Sequence, residues 1–409
     1  MDVEQIRKDF PALQRKYNER PVIYFDNACM TLKPKPVIEA ILDYYENFPS
    51  CGGRSVHKFG TEVTIKIDES REAMKKFINA SRKEEIIFTK NTTESLSFVA
   101  NGLKFEKDDI VVSSDKEHNS NLLPWQRLKI LKGIHHVIIP SNTDNTFNIE
   151  ALKECVSKYK KRIKLMSFVH QSNLDGVVIP AEEIVEIAHD NGSPVLLDCA
   201  QSVPHREVDV KKLDVDFIAF SVHKMCGPTG VGVLYGKYDL LKEMNPLIAG
   251  GGTVESTTYD NFKFLMPPER FEAGLQNYAG IVGAKAAAEY LSKLGKNNIE
   301  QHEIKLNKYV TDSLRDYPEI LILGPEKPEL RHGIFPFNIK GFEAHDVALI
   351  LDEVANIMLR SGAHCVHSWF EARKIKGCAR ASFFIYNTLE EAKIFVENIK
   401  KLIQGFEEV

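Results

Sequence analysis

The sequence predicts an α/β fold: a mostly parallel sheet with helices on both faces, followed by a smaller α+β unit. Two observations predict it. Short β-rich apolar runs alternate with amphipathic helical patterns as far as about residue 285, and beyond that point the pattern changes. Each run ends in polar residues, as expected of buried strands that stop at a surface.

The runs are residues 84–89 (EEIIFT), 108–114 (DDIVVSS), 135–140 (HHVIIP), 163–169 (IKLMSFV), 193–198 (SPVLLD) and 215–221 (VDFIAFS). Stretches such as 92–103 (TTESLSFVANGL) and 181–190 (AEEIVEIAHD) read as the helices between them. Residues 279–295 (AGIVGAKAAAEYLSKLG) read as one long helix. After it, 332–339 and 380–386 read as strands, with 345–354 and 389–403 as helices around them. The expected division is a large α/β domain over 20–285 and a small α+β domain formed by 1–19 and 286–409. A first helix over 3–13 (VEQIRKDFPAL) is expected to join the latter.

Composition bounds the function classes. Across 409 residues, 43% hydrophobic and 27% charged describe a globular chain, and a net charge of −4 gives no electrostatic reason to bind nucleic acid or an anionic membrane. The charged start, MDVEQIRKDF, argues against a secretory signal, and no apolar run reaches the roughly 20 residues of a membrane span. Seven cysteines without any CxxC pair argue against a disulfide framework or a zinc ribbon and fit a reducing cytoplasm. Most of these thiols are expected to be buried.

Ligands in open α/β sheets bind beyond the carboxyl ends of the strands. The residues there are Thr92, Thr93, His118, Asn173, Asp198, Gln201, Ser221, His223 and Lys224. Asn91 or Thr92, with Glu94 or a neighbour, suits a helix cap whose free N–H groups fit a phosphate, although a plain cap has the same letters. Asp198 can hold a cationic ring nitrogen or cap a helix. His118 can stack on a ring and carry protons; His57 has an equal claim to be structural. Lys224 is no phosphate-loop lysine, because Gly227, Gly230 and Gly232 follow it rather than precede it. At the end of a buried run it would be desolvated, its pKa lowered, and able to attack a carbonyl. Phosphate cradle, ring-nitrogen carboxylate, stacking histidine and Schiff-base lysine together describe a pyridoxal phosphate site.

The segment SVHKMCGPTGVGVLYG resembles the lysine segment of fold-type I, class V aminotransferase-like enzymes. More narrowly, the chain resembles the cysteine desulfurases of the SufS type (group II). VIYFDNA, NTTES, EHNSNLLPWQ, HQSNLDG, LLDCAQS, FEAGLQN, LRSGAHC and RASFFIYNT occur in that family's order over nearly the whole length. The resemblance implies a fold-type I transferase with a seven-stranded type of sheet, and pyridoxal 5'-phosphate carried on Lys224. Asp198 would face the ring nitrogen, Gln201 the ring oxygen and His118 the ring face. Thr93, Ser221, His223 and the Thr92 backbone would bind phosphate. Asn173 and Arg380, with Arg360, would bind the substrate L-cysteine, and Cys365 would accept its sulfur as a persulfide, leaving alanine. A homodimer is implied, with Gly250–Ser256 contributing phosphate contacts across it, as is a sulfur-acceptor or iron–sulfur scaffold protein as partner.

Three features depart from the family pattern. Leu275 stands where relatives have threonine, VHSWF follows Cys365, and Cys29 adds a thiol near the expected substrate entrance. His364, His367 and Arg360 are expected to give Cys365 a positive setting. Selenocysteine lyase and cysteine-sulfinate activities need almost the same site. A class V lyase, aminotransferase or epimerase would leave Cys365 idle, and a scaffold without catalysis would leave Lys224 and Asp198 idle.

Overall fold

The computed structural model describes residues 1–407. Its large sheet has seven strands: β1 (Ile86–Thr89), β2 (Ile110–Ser114), β3 (His135–Ile139), β4 (Ile163–Val169), β5 (Val195–Asp198), β6 (Phe217–Ser221) and β7 (Gly232–Gly236). Their spatial order is β1-β7-β6-β5-β4-β2-β3. Neighbours from β6 through β3 pair in parallel, while β7 runs antiparallel to both β6 and β1. The sheet is therefore mixed by one reversed strand.

Alternation within each strand builds two cores. Ile86, Phe88, Val112, Met166, Phe168, Leu197 and Phe220 belong to the core on one face. Ile87, Val111, Leu165, Leu196, Phe217 and Leu234 pack on the other, against Leu96, Val99, Trp125 and Leu128. Because both faces are covered, the strands read as continuous apolar runs rather than as alternating ones.

The segment 232–236 was not among the expected strands. Its five residues begin and end in glycine, and glycine weakens a strand pattern. Gly232 has a specific cause: it lies opposite Ser221 on one side and Thr89 on the other, and a Cβ there would come within 2.5 Å of the Asn91 Cα. The missing side chain lets the turn after β1 lie against the end of β6. Gly232→Ala is expected to lower the unfolding free energy by about 1–3 kcal/mol, the usual range for overpacking. An unchanged denaturation midpoint would show that this approach does not need glycine.

The expected first helix is shorter than its pattern. It covers Val3–Arg7, and a single 3₁₀ turn, Pro11–Gln14, follows after extended Phe10. Proline has no N–H to continue the helix ladder. Ile6, Phe10 and Leu13 pack into the large-sheet core, while Arg7 reaches Glu391 at 2.7 Å. The long helix is Tyr278–Leu294.

A second, antiparallel sheet has β8 (Ile320–Ile322), β9 (Ile334–Ile339), β10 (Arg360–Gly362) and β11 (Cys378–Ser382) in the order β8-β9-β11-β10. Phe335, Phe337, Ala379 and Ala381 face a separate core with Leu306, Val310, Phe395 and Ile399. Ile23 and Phe25 also lie in it, because Ile23–Tyr24 pairs in parallel with Ile357–Met358. On these cores we propose the division of the chain near residue 285, with the first helix and residues 23–25 tying the two units together. That tie carries Asp26, Ala28 and Cys29 to the sheet's carboxyl edge.

Candidate active site

A cavity of about 430 Å³ opens at that edge. It brings together Thr92 and Thr93 after β1, His118 after β2, Asn173 after β4, Asp198 and Gln201 at β5, and Ser221, His223 and Lys224 at β6. The second unit adds Arg360, His364, Cys365, His367 and Arg380, and the tie adds Ala28 and Cys29.

The helix Thr92–Gly102 starts as its letters suggest. Asn91 accepts the Glu94 N–H at 3.0 Å, and Glu94 accepts the Lys90 N–H at 2.6 Å. The Thr92 amide is occupied: it donates to Ser221 Oγ at 2.8 Å, and the two hydroxyls lie 2.6 Å apart. This pair ties the end of β1 to the end of β6 across Gly232. Thr93 is exposed, with its hydroxyl 2.7 Å from that of Ser120, a cavity residue that the sequence reading did not single out.

Asp198 is 3% exposed and accepts the Ala200 N–H at 3.0 Å. Burial raises its carboxyl pKa, while that hydrogen bond and Lys224 pull it down. A cation placed against it would secure the anion. Lys224 is half-buried on a 3₁₀ turn directly after β6. Burial lowers its pKa, with Asp198 opposing, so the amine is biased towards its neutral, nucleophilic form.

His118 precedes the helix Asn119–Lys132, and its Nδ1 accepts the Ser120 N–H at 3.1 Å. That bond leaves the ring proton on Nε2. Burial, with Lys224 and Arg380 adding to it, pushes the pKa to about 3, so the ring is neutral. His223 is held at about 4, burial being the largest cause. His57 caps the helix Lys58–Phe77 through Nδ1 and lies away from the cavity.

Arg380, on β11, is 3% exposed. It donates to the Asn173 carbonyl at 2.7 Å and stands 3.5 Å from Asp26. Asp26 also lies 3.9 Å from Arg360; the sequence reading assigned it nothing although it sits in VIYFDNA. The signal was there, an acid just beyond a short strand, but its arginine partners are more than three hundred residues away. Arg360 is exposed and turns to Asp26 and to Cys29, whose Sγ is 3.6 Å from Nη1. Gln201 donates to the Ala28 carbonyl at 2.6 Å. Gln201 Oε1, Asn173 Oδ1 and Arg380 Nε are buried with no partner among the described residues. Orphaned buried groups of this kind mark where a ligand's own polar atoms fit.

Cys365 is the exposed member of the seven cysteines. Its loop is left-handed at Gly362, His364 and Cys365 (φ 110°, 48° and 60°). Asn119 N–H holds the Cys365 carbonyl at 2.7 Å, and Asn173 holds the His364 carbonyl at 2.8 Å. His364 does not give Cys365 the positive setting expected of it. Its ring turns inward to Cys378, 3.1 Å from the carbonyl and 3.3 Å from Sγ, and burial drives its pKa to about 2. It carries no charge beside Cys365. Cys155, Cys199, Cys226 and Cys378 are buried with raised thiol pKa values, about 12 for Cys226 and Cys378, as expected of packing residues.

A histidine whose folded pKa is depressed contributes stability that is full above its unfolded value and is lost as pH falls through the range below it. For His364 that range begins near pH 6.5, so its contribution should fall by about 2 kcal/mol between pH 7.5 and pH 5. The stability advantage of the native chain over His364→Asn should shrink by that amount in urea titrations. A difference independent of pH would mean that the ring is not held neutral.

A sheet whose carboxyl edge gathers a lysine, a buried carboxylate and a buried arginine in one cavity has the layout of an α/β enzyme. The family described as "Aminotransferase class-V" matches residues 23–395, and the chain belongs to that family. It is 42% identical over 405 residues to a probable cysteine desulfurase of Pyrococcus abyssi, with 98% of each covered. Among solved structures it resembles the apo cysteine desulfurase of Thermococcus onnurineus NA1, with a TM-score of 0.92, 41% identity and 98% of each chain covered. The cysteine desulfurase CsdA of Escherichia coli gives a TM-score of 0.90 at 31% identity, with 99% of each covered.

Proposed function

We propose that the chain is a pyridoxal phosphate-dependent cysteine desulfurase that converts L-cysteine to L-alanine and takes the sulfur onto Cys365. The observation that carries this is an exposed thiol, Cys365, on a loop lining the same cavity as Lys224, Asp198 and Arg380. The full-length likeness to cysteine desulfurases supports it.

The orphaned polar atoms and the buried carboxylate fit the cofactor. Pyridoxal phosphate, when bound, supplies the electron sink that makes a Cα proton removable. Asp198 would keep a ring nitrogen protonated, Gln201 would meet the ring oxygen, and His118 would stack as a neutral ring. Thr93, Ser221 and His223, with the Thr92 turn, would surround the phosphate. Arg380 and Asn173 would bind the substrate carboxylate, with Arg360 at the entrance. Lys224 would hold the cofactor covalently and, once displaced, move the Cα proton at Nζ. Cys365 Sγ would attack the substrate sulfur: an S–S bond forms, the C–S bond breaks, and the electron pair stays with the carbon that becomes the alanine methyl group.

The exposed thiol suits delivery to a sulfur-acceptor or iron–sulfur scaffold protein. Leu247, Ile248, Tyr259, Phe262, Met266 and Leu275 are exposed within one stretch, Leu275 at 73%, and this apolar surface suits the contact of a homodimer. Sedimentation at micromolar concentration should give twice the chain mass; a monomer with full activity would exclude the dimer. Among the described residues no helix is long and apolar enough to cross a membrane, and seven free cysteines suit the cytoplasm.

The test is to mix cofactor-loaded protein with L-cysteine. Alanine release with a persulfide on Cys365 is expected. Bound cofactor without alanine would overturn the assignment.

A further inference from the structure

Cys29 is the second thiol that lines the cavity, and the desulfurase reaction leaves it without a task. It sits on the turn that joins the two units, where its amide donates to the Asp26 carbonyl at 3.1 Å, and it is half-buried. Arg360 Nη1 lies 3.6 Å from its sulfur. Arg360 opens β10, the strand that leads into the Cys365 loop, so one short segment carries both the cation that touches Cys29 and the other thiol. Both thiols line the cavity that also holds Lys224. Asn173 Oδ1 and Arg380 Nε, buried and unpartnered among the described residues, belong to lining residues of the same cavity. Both thiols thus line one cavity that is built to receive a ligand.

We propose that Cys29 is a second sulfur carrier, which takes the outer sulfur of the Cys365 persulfide inside the cavity; this rests on the desulfurase reading. The Cys29 thiolate attacks the outer sulfur, a new S–S bond forms at Cys29, and the S–S bond at Cys365 breaks. Cys365 leaves as a thiolate. One S–S bond replaces another, so no oxidant or reductant is consumed. The Arg360 guanidinium stands where it can hold an anionic persulfide on Cys29. Transfer frees Cys365 for another substrate molecule, while the first sulfur stays in a less exposed position. Cys51, the other half-buried thiol, lines a different cavity and cannot serve.

The test uses the cofactor-loaded full chain, mixed briefly with L-cysteine without added reductant, alkylated and mapped by peptide mass spectrometry. Added sulfur is expected at both Cys365 and Cys29 in the native chain, at Cys365 alone in Cys29→Ser, and at neither in Cys365→Ser. The alanine burst per chain should halve in Cys29→Ser, because only one thiol is then left to load. Sulfur confined to Cys365 in the native chain would overturn the relay while leaving the desulfurase reading intact. Sulfur on Cys29 in Cys365→Ser would also overturn it, since Cys29 would then take sulfur from the substrate directly. No sulfur at either thiol together with no alanine would overturn the desulfurase reading itself, and the relay with it.

Discussion

Lys224→Ala should purify without covalently bound cofactor and without its visible absorption, and alanine formation should fall on the order of 10³-fold or more. General acid–base groups alone contribute about 10²–10⁴-fold, and this residue is assigned both attachment and proton transfer. Lys224 is the strand-end amine that burial holds towards its neutral form, and it lines the same cavity as Asp198. Lys33 and Lys296 are also desolvated, with pKa values near 8 and 7, but neither lines the cavity. They cannot replace it. A Lys224→Ala protein with a normal cofactor spectrum would make the assignment of this lysine wrong.

Cys365→Ser should separate cofactor chemistry from sulfur transfer. The variant keeps Lys224, Asp198 and Arg380, so it should bind cofactor and respond spectrally to L-cysteine. Alanine release should drop by roughly two orders of magnitude or more, because a hydroxyl is a far poorer nucleophile towards sulfur than a thiol and cannot form the persulfide. The fold should tolerate the change, since the side chain is exposed and the loop is held through the carbonyls of His364 and Cys365. Release of alanine at the native rate would show that Cys365 is not the group that takes the sulfur, whereas loss of cysteine without alanine in the native chain would favour the lyase, aminotransferase or epimerase readings.

Much of the cavity could be read along the chain because each strand ends where its apolar run ends, and the next residues must face the carboxyl edge. Thr92, His118, Asp198, Ser221 and Lys224 are legible in that way from local pattern alone. The strand Gly232–Gly236 was not, because two of its five residues are glycines: Gly232 lies against the backbone of Asn91 and Gly236 against the side chains of Leu241 and Phe217. The first helix was overextended because apolar spacing continued through Pro11, where the N–H needed for the ladder is absent.

The sequence by itself determined the two-unit α/β order, the strand-end chemistry and, through its motifs, the family. Only the tertiary structure decided which way β7 runs, that His364 turns its ring from Cys365 towards Cys378, that Asp26 holds Arg380, and that Arg360 lies against Cys29. The reason is physical. Burial leaves a periodic signature in neighbouring residues, whereas the partner of a charge or the direction of a ring depends on how two separately formed cores meet, and nothing local in the chain encodes that.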